Sequence, residues 1–91
     1  MAEGNEPKPV QAVEIMPNGL TSADDLNDYR YVYGHYLITS KPINSPTGWA
    51  RMVVLSTVQI IFTDSKVWIR QYLSSTGWGH WYLYSGTDTG S

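Results

Sequence analysis

Over much of its second half the chain alternates apolar and polar positions with a period of two, the signature of extended strands and not of helices. In KVWIRQYL (66–73), Val67, Ile69, Gln71 and Leu73 fall on one side of an extended chain, and Trp68, Arg70 and Tyr72 on the other. A Ser-Ser-Thr-Gly turn follows, and beyond Gly77-Trp78-Gly79 the residues Trp81 and Leu83 alternate with His80, Tyr82 and Tyr84, which predicts a second aromatic strand paired with the first. Upstream, YVYGHYLIT (31–39) predicts a strand with Gly34 near its start, where a bulge or a close backbone approach is expected. WARMVVLS (49–56) and VQIIFTD (58–64) predict two more strands, the second apolar on both faces and therefore central.

The remaining segments carry turn and cap signals. SKPINSPTG (40–48) holds two prolines, two serines, Asn44 and Gly48 and predicts a long turn-rich loop, a kind of segment that often carries function. In LTSADDLNDY (20–29), Thr21 or Ser22 caps a predicted helix of at most two turns, with Asp24 and Asp25 in its first turn and Leu26 and Tyr29 on one face. Residues 1–17 read as a flexible leader or the end of a preceding segment. Within them Val10–Met16 fits a short strand, an extended stretch or one helical turn, and Pro17-Asn18-Gly19 breaks whichever forms. Residues 86–91 read as a linker-like tail. The expected fold is mostly β, a small antiparallel meander of about five strands over residues 18–85, preceded by one short N-terminal helix.

Composition narrows the chemistry. Ninety-one residues with a net charge of −2 and six scattered Lys and Arg offer no basic stripe for phosphates, so no nucleic-acid partner is expected. There is no Cys, and two isolated His residues are too few for a zinc site. The Asp residues at 24, 25 and 28 lack the ligand spacing of a calcium loop. No stretch is long and apolar enough to span a membrane, and the acidic, Pro-rich start is unlike a signal peptide. No phosphate-binding glycine loop and no pair of carboxylates on the predicted strands appears, so neither an enzyme nor a cofactor is expected. Aromatic residues make up 13 %, with one Phe against seven Tyr and four Trp, a bias toward rings that suit half-wet contact surfaces.

The order of small motifs adds a resemblance. DLNDY (25–29), GHYLIT (34–39), NSPTG (44–48), VQIIFT (58–63), VWIRQY (67–72) and GWGHW (77–81) together resemble the pyocin-knob-type domain of bacteriophage tail fibres and R-type pyocin fibres, over roughly residues 20–84. Asp25-Leu26-Asn27, Gly34 with Tyr36, Asn44 with Pro46 and Gly48, Gln59, Arg70, and Trp78 with Trp81 fall on that family's pattern. The resemblance implies a homotrimeric fibre in the virion, made in the host cytoplasm, whose small β knobs help engage a bacterial cell-surface polysaccharide or other glycan. It carries no ligand residues with it.

The residues then divide into two groups. Arg70 between Trp68 and Tyr72, with Trp78 and Trp81 in reach from the next strand, predicts a cation–π cluster in which Trp68, Arg70, Tyr72 and Trp81 are structural. Rings at loop ends are the ones left for a sugar: Trp49 after the NSPTG loop and Trp78 between two glycines, with His80 and Tyr82 on that side. Two functions follow, a receptor-binding module of a tail fibre or a spacer that registers the trimer without a ligand of its own.

Overall fold

A computed structural model describes residues 18–90. The leader expected over 1–17, including the open reading of Val10–Met16, lies outside the described residues. Seven strands form one mixed sheet: β1 (Asn18–Leu20), β2 (Val32–Ile38), β3 (Ala50–Ser56), β4 (Val58–Phe62), β5 (Lys66–Leu73), β6 (Gly77–Trp78) and β7 (Tyr82–Ser85). The order runs from β1 to β6, and β7 pairs with β5 beside β6. The meander from β2 to β5 is antiparallel throughout, and β4 lies between β3 and β5.

The structure departs from expectation at three places. Asn18 and Gly19 do not break the chain but pair in parallel with Tyr36 and Leu37, so an edge strand precedes the meander. The predicted N-terminal α-helix is not formed: residues 20–31 hold a single 3-10 turn at Leu26–Asp28. Its polar residues spend their side chains on nearby amides, Asp24 Oδ2 accepting from Thr21 N–H and Asp25 Oδ1 from Asn27 N–H, which competes with helical hydrogen bonding. Asp25 is extended (φ −116°, ψ 120°), and its bridge to Ile43 is closed by Leu26 N–H to Ile43 O and Ile43 N–H to Asp24 O. A segment of about ten residues is too short to hold a helix against such pairing. Third, the second aromatic strand is split. β6 pairs with the end of β5 and β7 with its beginning, while Gly79 N–H still donates to Gln71 O between them.

Register decides which face is covered. The pairs Tyr36–Met52, Met52–Ile61, Val54–Gln59, Gln59–Arg70 and Ile61–Trp68 place these residues on one side of the sheet. The 3-10 turn and the 40–48 loop close over that side, and Leu20, Leu26, Ile38, Ala50, Met52, Val54 and Ile61 form the buried core. The core is therefore aliphatic, with Tyr29, Tyr36, Trp68 and Trp81 packed around it and not filling it. The aliphatic side of β5 that the alternation singles out lies on the opposite, less covered face, which also carries the exposed Tyr33, Leu55, Phe62, Tyr82 and Tyr84.

Gly34 marks a close approach and not a bulge, because pairing with β3 is continuous across it. The Tyr36 ring lies against its α-carbon, and a β-carbon there would sit 2.6–2.9 Å from three of that ring's atoms. Tyr36 in turn meets Tyr29 edge to face, with ring centroids 5.0 Å apart. Gly34→Ala is expected to displace the ring and cost about 1–3 kcal/mol, read as a lower urea midpoint; an unchanged midpoint would show that Tyr36 moves freely.

Candidate functional site

The site grows from one cross-strand pair on the covered face. Gln59 on β4 is wholly buried and faces Arg70 on β5, itself 5 % exposed. Buried polar side chains need partners, and Gln59 uses both ends of its amide. Its Oε1 accepts from Arg70 Nε at 2.8 Å, while its Nε2 donates to the carbonyls of Leu26 at 2.7 Å and Tyr29 at 2.9 Å. Those carbonyls border the 3-10 turn, so a sheet side chain gives Leu26 O a second donor beside Tyr29 N–H and supplies the donor for Tyr29 O.

The Arg70 guanidinium is held between two indoles. Its Cζ lies 4.1 Å from the Trp78 ring centroid and 4.6 Å from that of Trp81, within cation–π range for both. Each indole N–H is fixed to backbone, Trp78 Nε1 donating to Asn27 O at 3.1 Å and Trp81 Nε1 to Asn44 O at 2.9 Å. Asn44 adopts a left-handed backbone (φ 66°), which Asn tolerates better than most residues, and its Nδ2 donates to Asp25 Oδ1. That bond, followed by the one from Asn27 N–H, holds the Asp25 carboxyl below its usual range. Burial pulls the Arg70 pKa down to about 10 against the opposing charge of Asp25, so the guanidinium is still a cation at neutral pH.

Around this pair opens a cavity of about 370 Å³ bordered by Asn27, Asn44, Ser45, Arg70, Trp78, Gly79, His80 and Trp81. A neighbouring cleft of about 560 Å³ shares Asn27 and Trp78 and continues to Asp28, Arg30, Tyr72 and Gly77. There Arg30 stacks on Tyr72 at 4.6 Å, and Tyr72 meets Tyr31 and Trp78 edge to face. Arg70 is thus clamped by Trp78 and Trp81, whereas Tyr72 belongs to Arg30 and Tyr31, and Trp68 packs on the core.

Of the residues proposed for a sugar, Trp78 and His80 come together at the Arg70 cavity. Trp49 is not brought to it: at 60 % exposed, it lines a separate cleft of about 310 Å³ with Arg51, Phe62, Thr63 and Asp64. Tyr82, 65 % exposed, pairs with Ile69 and so projects to the opposite face of the sheet. Trp81, assigned to structure, shares the cavity with Trp78. Sequence reasoning did not place Asn27, Asn44 or Gln59 in a site. The signal for Gln59 was present, since one amide between Val58 and Ile60 in a strand apolar on both faces must find partners inside the protein. Among the described residues no group of His, Cys, Asp or Glu is arranged to hold a metal.

Comparison with protein-family models, with curated proteins and with solved structures finds no match.

Gln59→Leu roughly keeps the volume but strands the Tyr29 carbonyl and Arg70 Nε and takes from the Leu26 carbonyl one of its two donors. The expected loss is about 3 kcal/mol, with Trp78 and Trp81 fluorescence shifting as the clamp loosens. A urea midpoint equal to that of the wild type would remove Gln59 as the link between turn and sheet.

Proposed function

We propose that the chain is a receptor-binding or adhesion module of a bacteriophage tail fibre, engaging a glycan on the bacterial surface and doing no chemistry of its own. The observation that carries this reading is the Arg70 cavity, where two indoles stand beside the amides of Asn27 and Asn44, the Ser45 hydroxyl and the His80 imidazole. A pyranose presents an apolar C–H face and a rim of hydroxyls, and such a wall of rings edged by polar groups complements both. The ordered motifs from Asp25 to Trp81 support the tail-fibre setting by resemblance. A single open site of this size binds in the millimolar range, about −4 kcal/mol, so attachment depends on several linked copies, which a homotrimeric virion fibre provides.

Trp78→Ala is expected to lower glycan affinity at least tenfold per folded molecule, and Trp49→Ala to leave it unchanged, because Trp49 lies at another cleft. A glycan array followed by calorimetry makes the measurement. Absence of binding to any bacterial surface glycan by a trimeric fibre fragment would overturn the reading.

A second reading, a knob that registers the trimer, draws on the other face of the sheet. Leu55 stands opposite Val58 and Phe62 opposite Val67, and the exposed Tyr33, Leu73, Tyr82 and Tyr84 extend this apolar surface across β2, β3, β4, β5 and β7. Five strands about 4.8 Å apart and roughly 20 Å long give a footprint near 480 Å², short of the roughly 800 Å² per partner of a standard stable interface. Copies of this chain therefore meet there weakly unless flanking fibre segments hold them together. Self-association should appear in sedimentation only at high concentration and vanish in the double variant Leu55→Lys, Tyr84→Lys; concentration-independent monomer mass for the wild type would exclude this face as a contact.

A further inference from the structure

Two buried polar atoms at the Arg70 cavity have no hydrogen-bond partner: Nη2 of Arg70 and Oδ1 of Asn27. Both residues border the same cavity. Orphaned polar groups are rare in buried positions and costly, and here one is a charged donor and the other a neutral acceptor. The fold does not neutralise the donor at close range. The Asp25 carboxylate feels and favours the Arg70 cation, but its Oδ1 is taken by Asn27 N–H and Asn44 Nδ2, and among the described residues no Asp or Glu borders the cavity.

Resting on the glycan reading above, we propose that this cavity is built for an acidic sugar of the hexuronate class. Once the two side chains turn to expose these atoms, the sugar carboxylate accepts from Arg70 Nη2, a neighbouring ring hydroxyl donates to Asn27 Oδ1, and the pyranose packs on the indole surface left outside the Arg70 stack. The pairing follows from what each orphan lacks. A neutral sugar offers hydroxyls to both atoms yet leaves a buried cation without a counter-charge. Inorganic phosphate or sulfate supplies the charge but, with no alcohol beside it, leaves the Asn27 acceptor unmet, and a single guanidinium is few cations for a dianion. A uronate carries an anionic acceptor and hydroxyl donors on one ring.

Calorimetric titration of the full chain with methyl glucuronide and methyl galacturonide, against methyl glucoside and methyl galactoside, tests the assignment. The uronates are expected to bind at least tenfold tighter than their neutral parents at low ionic strength, with the gap narrowing as salt rises. Asn27→Asp puts a carboxylate on the cavity that Arg70 borders, so the uronate-to-neutral ratio should fall to near one while the melting temperature holds or rises. Should that variant fail to fold, the wild-type ratio decides alone. Neutral sugars binding as tightly as uronates would overturn the acidic assignment and leave the glycan reading standing; no binding of either class would overturn the acidic assignment and leave the glycan reading to the glycan array. Equal affinity for inorganic phosphate and for the uronates would overturn the assignment as well, by showing that charge alone is read.

Discussion

The buried amide–guanidinium pair between Gln59 and Arg70 is the contact on which the rest of the covered face depends. It joins neighbouring strands, but its consequence lies above the sheet. The same Gln59 that accepts from Arg70 donates to two carbonyls bordering the 3-10 turn, so a segment with almost no regular structure is fixed to the most regular part of the molecule. Without that anchor Leu26, fully buried, would keep only its packing and its backbone bonds to Ile43 and Tyr29. The arrangement is conditional in the way buried polar networks are: each member is tolerable because the next one satisfies it, and the loss of one exposes the others to a desolvation cost.

The split between β6 and β7 has a geometric result that an unbroken strand would not give. In continuous alternation, residues three apart point to opposite faces, so Trp78 and Trp81 would lie on different sides of the sheet. The irregular stretch at Gly79–Trp81 removes that parity, and both indoles reach the same guanidinium. Each is then locked by its N–H to a different covering segment, Trp78 to the 3-10 turn through Asn27 and Trp81 to the long loop through Asn44. The clamp is thus a three-way junction among the sheet, the turn and the loop, and the cavity is the space the junction leaves open.

How much of this was legible in the chain follows from which forces are local. The β2–β5 meander and the central place of β4 could be read from alternation and burial pattern, because strand periodicity is a local property. That Arg70 meets Trp78 and Trp81 was also within reach, since they lie in adjacent elements. What could not be read is what depends on contacts distant in sequence. The 20–29 segment has the cap residues of a helix, yet its shape is set by the Asp25–Ile43 bridge and by Gln59, 33 residues beyond Leu26. Trp49 and Trp78 looked alike as loop-end rings, but register assigns them to different clefts. Asn27 and Asn44 gave no signal of their own, being ordinary turn residues until the fold brings their carbonyls to two indoles.

Because the residues that border the cavity also hold the covering segments, the proposed recognition would be coupled to stability. Trp78 contributes a face to the cavity, an N–H to Asn27 and a ring to the Arg70 stack, so removing it changes all three. A ligand that engages the guanidinium would reinforce the same junction, and by linkage it should stabilise the turn and the loop along with itself. Among the described residues the opposite face carries no comparable network. Its rings and aliphatic side chains are half-covered or exposed, and they gain chiefly from whatever removes them from water. One sheet therefore presents two different surfaces, a polar junction with directional, chemically selective contacts and an apolar face with little direction. On the proposed reading, selectivity among ligands belongs on the first. The second can contribute association but little discrimination, which is the division of labour that the proposed multivalent binding unit requires.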